Sequence, residues 1–395
     1  MAILAVNAGS STLKFSLHPR QGTQVQASVL SGSIQGLEPG GQPEVTWSFQ
    51  GQPQRQTLAA AQSDAFGAAL AHLGQLLASV PGLPTIEAVA HRVVHGGQDY
   101  AASVRVTDEV LARLALLNSL APLHQPHNLQ GVRAFAKAFP HLPQVACFDT
   151  AFHATLAEVD YLFALPTALA QQGVRRYGFH GLSYQYLMGA LHRHSTRSRG
   201  RVLMAHLGNG ASLCAAREGR SCATSMGFSA LDGLMMGTRT GALDAGVLLY
   251  LLEQGWDHDR LQTLLYKQSG LLGVSGVSAD MRRLRADTSA SARLAVDMFT
   301  HRVVRESGAM VACLQGLDVL VFSGGIGEHD TQLRADVCAR LAWVGVRMDA
   351  VANAAATGDE VCPIHSPESA IEVWVVPTDE GSVAAQDAVE IIFGS

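Results

Sequence analysis

The sequence predicts an α/β protein built as two similar domains facing each other across a cleft, and three observations carry that reading. With 395 residues, 48% apolar and 15% charged, the chain is long and apolar enough for two sizeable cores. A strand–turn–strand unit over residues 3–17 recurs over residues 202–216, with Gly9 and Gly208 in equivalent places 199 positions apart, a period too long for a solenoid. Each half later carries a buried strand that runs into a glycine pair, at Gly96-Gly97 and Gly324-Gly325. A chance rhyme of two common strand–glycine-turn units is the plainer alternative. The domains are expected over residues 1–150 and 151–380, with a final helix over 381–395 packing back on the first.

In chain order, residues 2–6 are an apolar strand, 7–12 a turn, and 13–18 a second strand alternating Leu, Phe and Leu. Residues 31–56 are polar and glycine-rich and read as surface hairpins. Residues 64–77 have helical spacing. Residues 86–94 form a buried strand ending in His95-Gly96-Gly97. Thr107-Asp-Glu opens a helix with a good cap. Residues 144–148 are a strand closed by Asp149-Thr150. The second half begins again with strands over 201–205 and 211–216 around the turn His206-Leu-Gly-Asn-Gly210. Strands over 318–322 and 372–376 end in Ser323-Gly-Gly-Ile-Gly327 and Pro377-Thr-Asp-Glu380, and residues 381–393 form a helix.

Composition excludes several classes. A net charge of −5 argues against a chain that coats nucleic acid or an acidic membrane. No apolar run reaches the length of a spanning helix, and the apolar start lacks a basic leader, so it reads as a strand rather than a signal peptide. The six cysteines, at 147, 214, 222, 313, 338 and 362, form no C-x-x-C pair and sit mostly in apolar surroundings, as thiols of a cytoplasmic protein would. Arginine supplies 25 of the 28 cationic side chains, favouring planar, bidentate anion contacts.

There is no G-x4-G-K-[ST] loop. In its place stands Asn7-Ala-Gly-Ser-Ser-Thr-Leu-Lys14, where Gly9 admits close backbone approach and three hydroxyls offer donors to phosphate. Alone, this motif could equally be a polar hairpin turn. His206–Gly210 occupies the equivalent place in the second half, and the glycine run from Gly324 follows a buried strand, a usual position for a nucleotide loop. Arg92 lies at a strand end beside His91 and His95, whereas Arg239 and His180 lie in glycine-bounded loops, positions suited to anions. Glu380 opens the last helix, where a helix-dipole role is the structural alternative. The spacings His91-x3-His95 and His124-x2-His127 lack the carboxylate or thiol partners of a transition-metal site.

Taken together, Asn7–Lys14, His91-Arg-Val-Val-His-Gly-Gly97, Phe148-Asp-Thr-Ala-Phe-His153, Tyr177-Gly-Phe-His-Gly181, His206–Gly210, Gly237-Thr-Arg239 and Gly324-Gly-Ile-Gly-Glu328 resemble, in order and over nearly the whole chain, the motif series of the acetate kinases, the acetokinase family of short-chain acyl kinases. The resemblance implies the duplicated fold shared with sugar kinases and actin, a cytoplasmic homodimer, and reversible Mg-ATP-dependent phosphorylation of acetate that feeds acetyl-CoA metabolism. Mn2+ is the substitute metal, and no nucleic acid or membrane partner is implied. Propionate kinase is the close alternative, and a nucleotide-driven actin-like ATPase the distant one. Carried over by position, the catalytic set is Arg92, His124, Asp149, His180 and Arg239. Asn7 and Glu380 would serve the metal. The acyl pocket would be Val94, Leu123, Phe179 and Ala230, with Arg92 on the carboxylate. ATP contacts would fall on Ser10, Ser11, Thr12, Lys14, His206, Leu207, Gly208, Asn209, Gly210, Asp280, Met281, Arg282, Gly325, Ile326, Gly327, Glu328 and His329. Departures from the family pattern are Thr12 for serine, Gly381 for glutamate, His329 for asparagine, Ala242 and Ala245 for Asp and Pro, and Ala230 for proline. Because a short carboxylic acid is ionised near neutral pH, no general base is needed, and Asp149 is expected to orient Arg92 or metal ligands rather than to take a proton.

Overall fold

The computed structural model describes residues 1–9, 11–38, 40–59, 64–122 and 124–394. They divide into two compact units, Met1–Ala151 with Asp379–Ser395, and Phe152–Thr378.

The first unit carries strands β1 (Ala2–Ala8), β2 (Thr12–Gln21), β3 (Gln24–Val25), β4 (Leu30–Gln35), β5 (Glu44–Phe49), β6 (Gln52–Thr57), β7 (Ile86–Val93), β8 (Val104–Arg105) and β9 (Gln144–Phe148). Among the described residues they form one sheet ordered β6-β5-β4-β2-β1-β7-β9-β8, with β3 added on β2. β1, β7 and β9 are parallel, and β2 runs antiparallel to β1. β1 reads as a nearly continuous apolar run because both of its faces are covered. On one face Leu4, Val6, Leu13, Phe15 and Leu17 pack with Leu70, Leu73 and Phe135. These last come from helices Ala65–Ser79 and Gln125–Ala138. Asp64 caps the first of them, accepting from Gly67 N at 2.8 Å. The final helix, Glu380–Phe393, packs on β1 and β7. Its start is capped by Asp379, which accepts from Ser382 N at 3.0 Å. Gly381, a departure from the family pattern, is explained here: a Cβ at that position would collide with the Ser16 hydroxyl of β2.

The second unit carries β10 (Arg201–Leu207), β11 (Ala211–Arg217), β12 (Arg220–Thr224), β13 (Val319–Ser323), β14 (Cys362–Pro363) and β15 (Glu372–Val375), ordered β12-β11-β10-β13-β15-β14. β10, β13 and β15 are parallel and β11 is antiparallel to β10. The order β4-β2-β1-β7-β9 of the first unit thus recurs as β12-β11-β10-β13-β15. The recurrence at Gly9 and Gly208 is therefore one of topology, not of turn chemistry alone. Helix Ala290–Leu314 and helix Gly181–His194 cover this sheet.

Two local expectations need correction. The stretch expected as surface hairpins is part of the main sheet, with Leu30, Ile34 and Val45 fully buried. Its outward residues, Ser31, Ser33 and Thr46, made it look like a loop. Gly32 leaves the space that Phe15 and Trp47 fill, since a Cβ there would lie 2.6 Å from the Phe15 ring. The glycine run after β13 is not an open loop. Gly324 turns the chain at φ +73°, and Gly324–His329 is a short helix.

Three buried histidines set the acid limb of stability. Burial pushes His91, His95 and His153 down to about 4, outweighing the hydrogen bonds that His91 donates to Gln144 Oε1 and His153 to the Phe179 carbonyl. Between pH 6.5 and 4 the unfolded chain binds protons at these rings that the folded chain does not. Stability is therefore full above about pH 6.5 and falls on acidification, by up to about 1.4 kcal/mol per pH unit for each ring. His91→Leu, which removes one of them, is expected to flatten the pH dependence of the urea midpoint by about one proton. An unchanged slope would show that His91 does not contribute.

Candidate active site

In the first unit the parallel strands end side by side. β1 brings up Asn7, β7 brings up Arg92, and β9 runs directly into Asp149. The register places Val6 beside His91 and Arg92 beside Cys147, so the three polar side chains converge at one end of the sheet. Arg92 Nε donates to Asp149 Oδ1 at 2.9 Å and Nη2 to Oδ2 at 2.5 Å, a bidentate clasp. Its Nη1 donates to Asn7 Oδ1 at 3.3 Å, and Glu380 Oε2 lies 3.7 Å from Nε. Asp149 is 1% exposed and Arg92 23%, so the carboxylate anchors the guanidinium from within. Burial alone would lower the Arg92 pKa, but Asp149 and Glu380 outweigh it and hold the group charged.

Around this cluster the backbone is pinned by side chains that the sequence did not single out. Asn128 Oδ1 accepts from Val94 N at 2.9 Å while its Nδ2 donates to the Ala8 carbonyl at 2.6 Å, joining the ends of β7 and β1. Gln125 bonds both backbone groups of His95, and Thr150 Oγ1 accepts from Gly96 N at 3.1 Å. The available signal was two amides at helical spacing in a buried stretch, since buried polar groups are almost always bonded. His124 is the residue preceding helix Gln125–Ala138, at its N-cap, and Val94 is buried. Ser11 and Thr12 are half-buried in the β1–β2 turn, where Gly9 N donates to the Thr12 carbonyl at 2.8 Å; Lys14 is exposed on β2, paired in register with Asn7. Ser10 and Leu123 lie outside the described residues.

In the second unit His180 adopts φ +60°, unusual for a non-glycine residue, immediately before helix Gly181–His194. Its ring stacks on His206 with centroids 4.3 Å apart. His180 Nδ1 lies 2.8 Å from Ser212 Oγ, which meets the Tyr184 hydroxyl at 2.5 Å. Thr378 Oγ1 donates to Ser183 Oγ at 2.9 Å, and Ser183 Oγ in turn lies 2.8 Å from His206 Nδ1, so the hydroxyl pair fixes the orientation of the His206 ring. Arg239 Nη1 donates to the Ala230 carbonyl at 2.5 Å. A Cβ on Gly210 would sit 2.7 Å from Arg239 Nη2 and 3.3 Å from His180 Nε2, so this glycine lets both cationic-type groups close over the turn. Ser183, Tyr184, Ser212 and Thr378 were missed by sequence reading because nothing in their spacing marks them.

The remaining predicted nucleotide residues divide by exposure. Gly208 N donates to the Gly210 carbonyl, and Asn209 accepts on its carbonyl from Gly237 N. Leu207, Met281 and Gly327 are buried, leaving only backbone to offer, whereas Gly325 and His329 are exposed and Ile326 half-buried. Asp280 caps helix Met281–Ala286 and pairs with exposed Arg282 at 2.7 Å. Glu328 Oε1 is turned inward, accepting from Gly324 N at 2.8 Å and Thr378 N at 3.1 Å. Fully buried Arg334 holds the Gly327 and Glu328 carbonyls and Asn353, bracing the same segment. His329 Nδ1 is engaged with the Thr357 carbonyl at 2.6 Å.

The family model that matches this chain, over residues 2–386, is described as the acetokinase family. An acetate kinase of Rhodopseudomonas palustris is 47% identical over 390 residues, covering 97% of this chain and 96% of its own. Among solved structures, a propionate kinase from Francisella tularensis superposes with a TM-score of 0.89 at 35% identity, covering 98% of each chain. Porphyromonas gingivalis acetate kinase superposes with a TM-score of 0.88 at 35% identity, covering 99% of each.

Proposed function

Because the chain belongs to the acetokinase family, we propose that it transfers the γ-phosphoryl group of ATP to the carboxylate of acetate, reversibly, giving acetyl phosphate and ADP. The observation that carries this reading is the likeness over 97% of the chain to a protein named acetate kinase. The geometry supports it in two ways. In the first unit, Asp149 holds Arg92 as a fixed, partly exposed cation, an arrangement for an anionic acceptor. In the second, Arg239 and the stacked rings of His180 and His206 lie at a glycine turn, suiting them to the equatorial oxygens of a transferring phosphoryl group. Both Asp149 oxygens already accept from Arg92, so Asp149 is a positioning residue rather than a base.

Asn7 and Glu380 offer an all-oxygen donor set already directed at a cation, the Arg92 guanidinium. Among the described residues no cluster of three metal-binding side chains exists, so these two fit a Mg2+ that keeps waters and takes phosphate oxygens, with Mn2+ as a substitute. When bound, the ion neutralises phosphate charge. No described helix is long and apolar enough to cross a membrane, and all six cysteines are free, Cys313 at the surface, which supports a cytoplasmic location.

Chain-length preference is read from Ala230. Its carbonyl accepts from Arg239, and its side chain is smaller than the proline expected from the family pattern. Propionate is expected to be used within about tenfold of acetate, since one methylene is worth at most about 0.8 kcal/mol here. Butyrate should be poor because Phe179, 1% exposed, is fixed in the core. ATP-dependent hydroxamate formation across formate, acetate, propionate and butyrate tests both the reaction and the preference. No acyl phosphate with any of them sinks the function, and an acetate-to-propionate ratio unchanged in Ala230→Pro sinks the pocket assignment.

The homodimer expected from the family resemblance is supported by helix Ala245–Glu253. None of its residues is buried, and Leu249, Tyr250 and Leu252 are 63%, 58% and 50% exposed. Leu249→Glu is expected to convert a dimer into monomers in sedimentation velocity; a species of unchanged size would place the interface elsewhere.

A further inference from the structure

We propose a second anion site in the second unit, away from the residues assigned to the reaction, that binds a small phosphate-bearing polyanion. One face of helix Ala290–Leu314 presents Asp297, His301 and Arg305 at successive i, i+4 positions, with Met298 and Arg302 alongside. Arg340, the last residue of helix Thr331–Arg340, closes the other side. Together these six residues line a concavity of about 500 Å³.

The charge balance is what distinguishes this concavity. Some arginines of the chain are clasped by a carboxylate, as Arg201 is by Asp318 at 2.6 Å and Arg285 by Asp330 at 3.1 Å. Among the described residues, no carboxylate oxygen lies within ion-pair distance of Arg302, Arg305 or Arg340, and none of the three has a hydrogen-bond acceptor. Three guanidinium groups against the single carboxylate of Asp297 make a cationic hollow in a chain of net charge −5. Glu306 on the same helix is felt electrostatically by Arg305, and burial is the larger influence on it.

Guanidinium forks arriving from two helices suit the tetrahedral oxygens of phosphate better than the single plane of a carboxylate. The volume exceeds that of inorganic phosphate and accommodates a diphosphate. Arg340 stands at a helix C-terminus, where a lone arginine would need no ligand. Arg302 and Arg305 lie mid-helix, and their convergence on it is not explained that way.

The test is calorimetric titration of the full chain with inorganic pyrophosphate. The Arg302→Gln/Arg340→Gln double variant should bind one equivalent fewer than the wild type. It should retain the wild-type kcat and KM, since neither side chain belongs to the reaction site. The loss of one equivalent is measured whether or not the protein is an acyl kinase, so the two readings fail separately. Equal stoichiometry and affinity in both proteins overturn the site. So does a double variant that loses its equivalent together with its activity, because the anion lost would then be the one at the reaction site.

Discussion

Arg239→Ala is expected to lower kcat/KM by about 30- to 1000-fold while leaving the fold intact, the loss of roughly 2–4 kcal/mol of transition-state stabilisation. Its Nη1 donates to the Ala230 carbonyl. The guanidinium lies against the Gly210 turn beside His180. Charge-assisted contacts to a transferring phosphoryl group are made mainly in the transition state, so the loss should appear in kcat more than in KM. Steady-state kinetics beside a thermal melt decides it. A near-normal kcat removes Arg239 from the reaction, and a collapsed melt makes its role structural.

For Asp149 the expectation is different in kind. Asp149→Ala should cost about 3 kcal/mol of stability as well as activity, because it strips the inner counter-charge from a largely buried guanidinium. Arg92→Ala should likewise destabilise, leaving a 1% exposed carboxylate without its clasp, so a clean reading of catalysis at this end needs the pair. In a double-mutant cycle of Asp149→Ala with Arg92→Leu, the combined variant should be more stable than the sum of the singles by about 1–3 kcal/mol. Asp149→Asn keeps the shape and one acceptor. It should lose activity with an unchanged pH profile and a raised Mg2+ requirement, as a positioning residue would. The emergence of a new acid limb with normal Mg2+ dependence would instead make Asp149 a base.

Much of this was legible in the chain. The strands at 2–6, 86–94 and 144–148 were readable because parallel strands covered on both faces are rich in apolar residues; Asn7 and Asp149 were readable as the polar residues at which two of those runs stop, and Arg92 as a charge near the end of the third. Arg239 and His180 were marked by the glycines bounding their loops, whereas the requirement that Gly210 stay bare beside them emerges only from the fold. The chain Thr378–Ser183–His206 was not legible, because its members are hydroxyls some 195 positions apart, joined only by the fold. Nor was the sheet role of residues 30–57, where an outward polar face hid buried Leu30, Ile34 and Val45. Glu328 was assigned to a nucleotide by position, yet its carboxylate braces the backbone of its own segment, a distinction that only bond directions reveal.

The discontinuity of the first unit has a consequence for how the protein is made. Its sheet leaves the ribosome early, but helix Glu380–Phe393, which packs on β1 and β7 and accepts from the Cys147 thiol through the Ala384 carbonyl, follows only after the whole second unit. Ala384, Ala385, Ala388 and Val389 are buried in the finished molecule, so until that helix emerges the sheet surface they cover faces water. Synthesis of residues 152–378 fills that interval, roughly 10–45 s at about 5–20 residues per second. Nascent chains therefore carry a bare apolar sheet through that interval. A chain stopped at Asp379 would have its first sheet uncovered and Arg92 without Glu380.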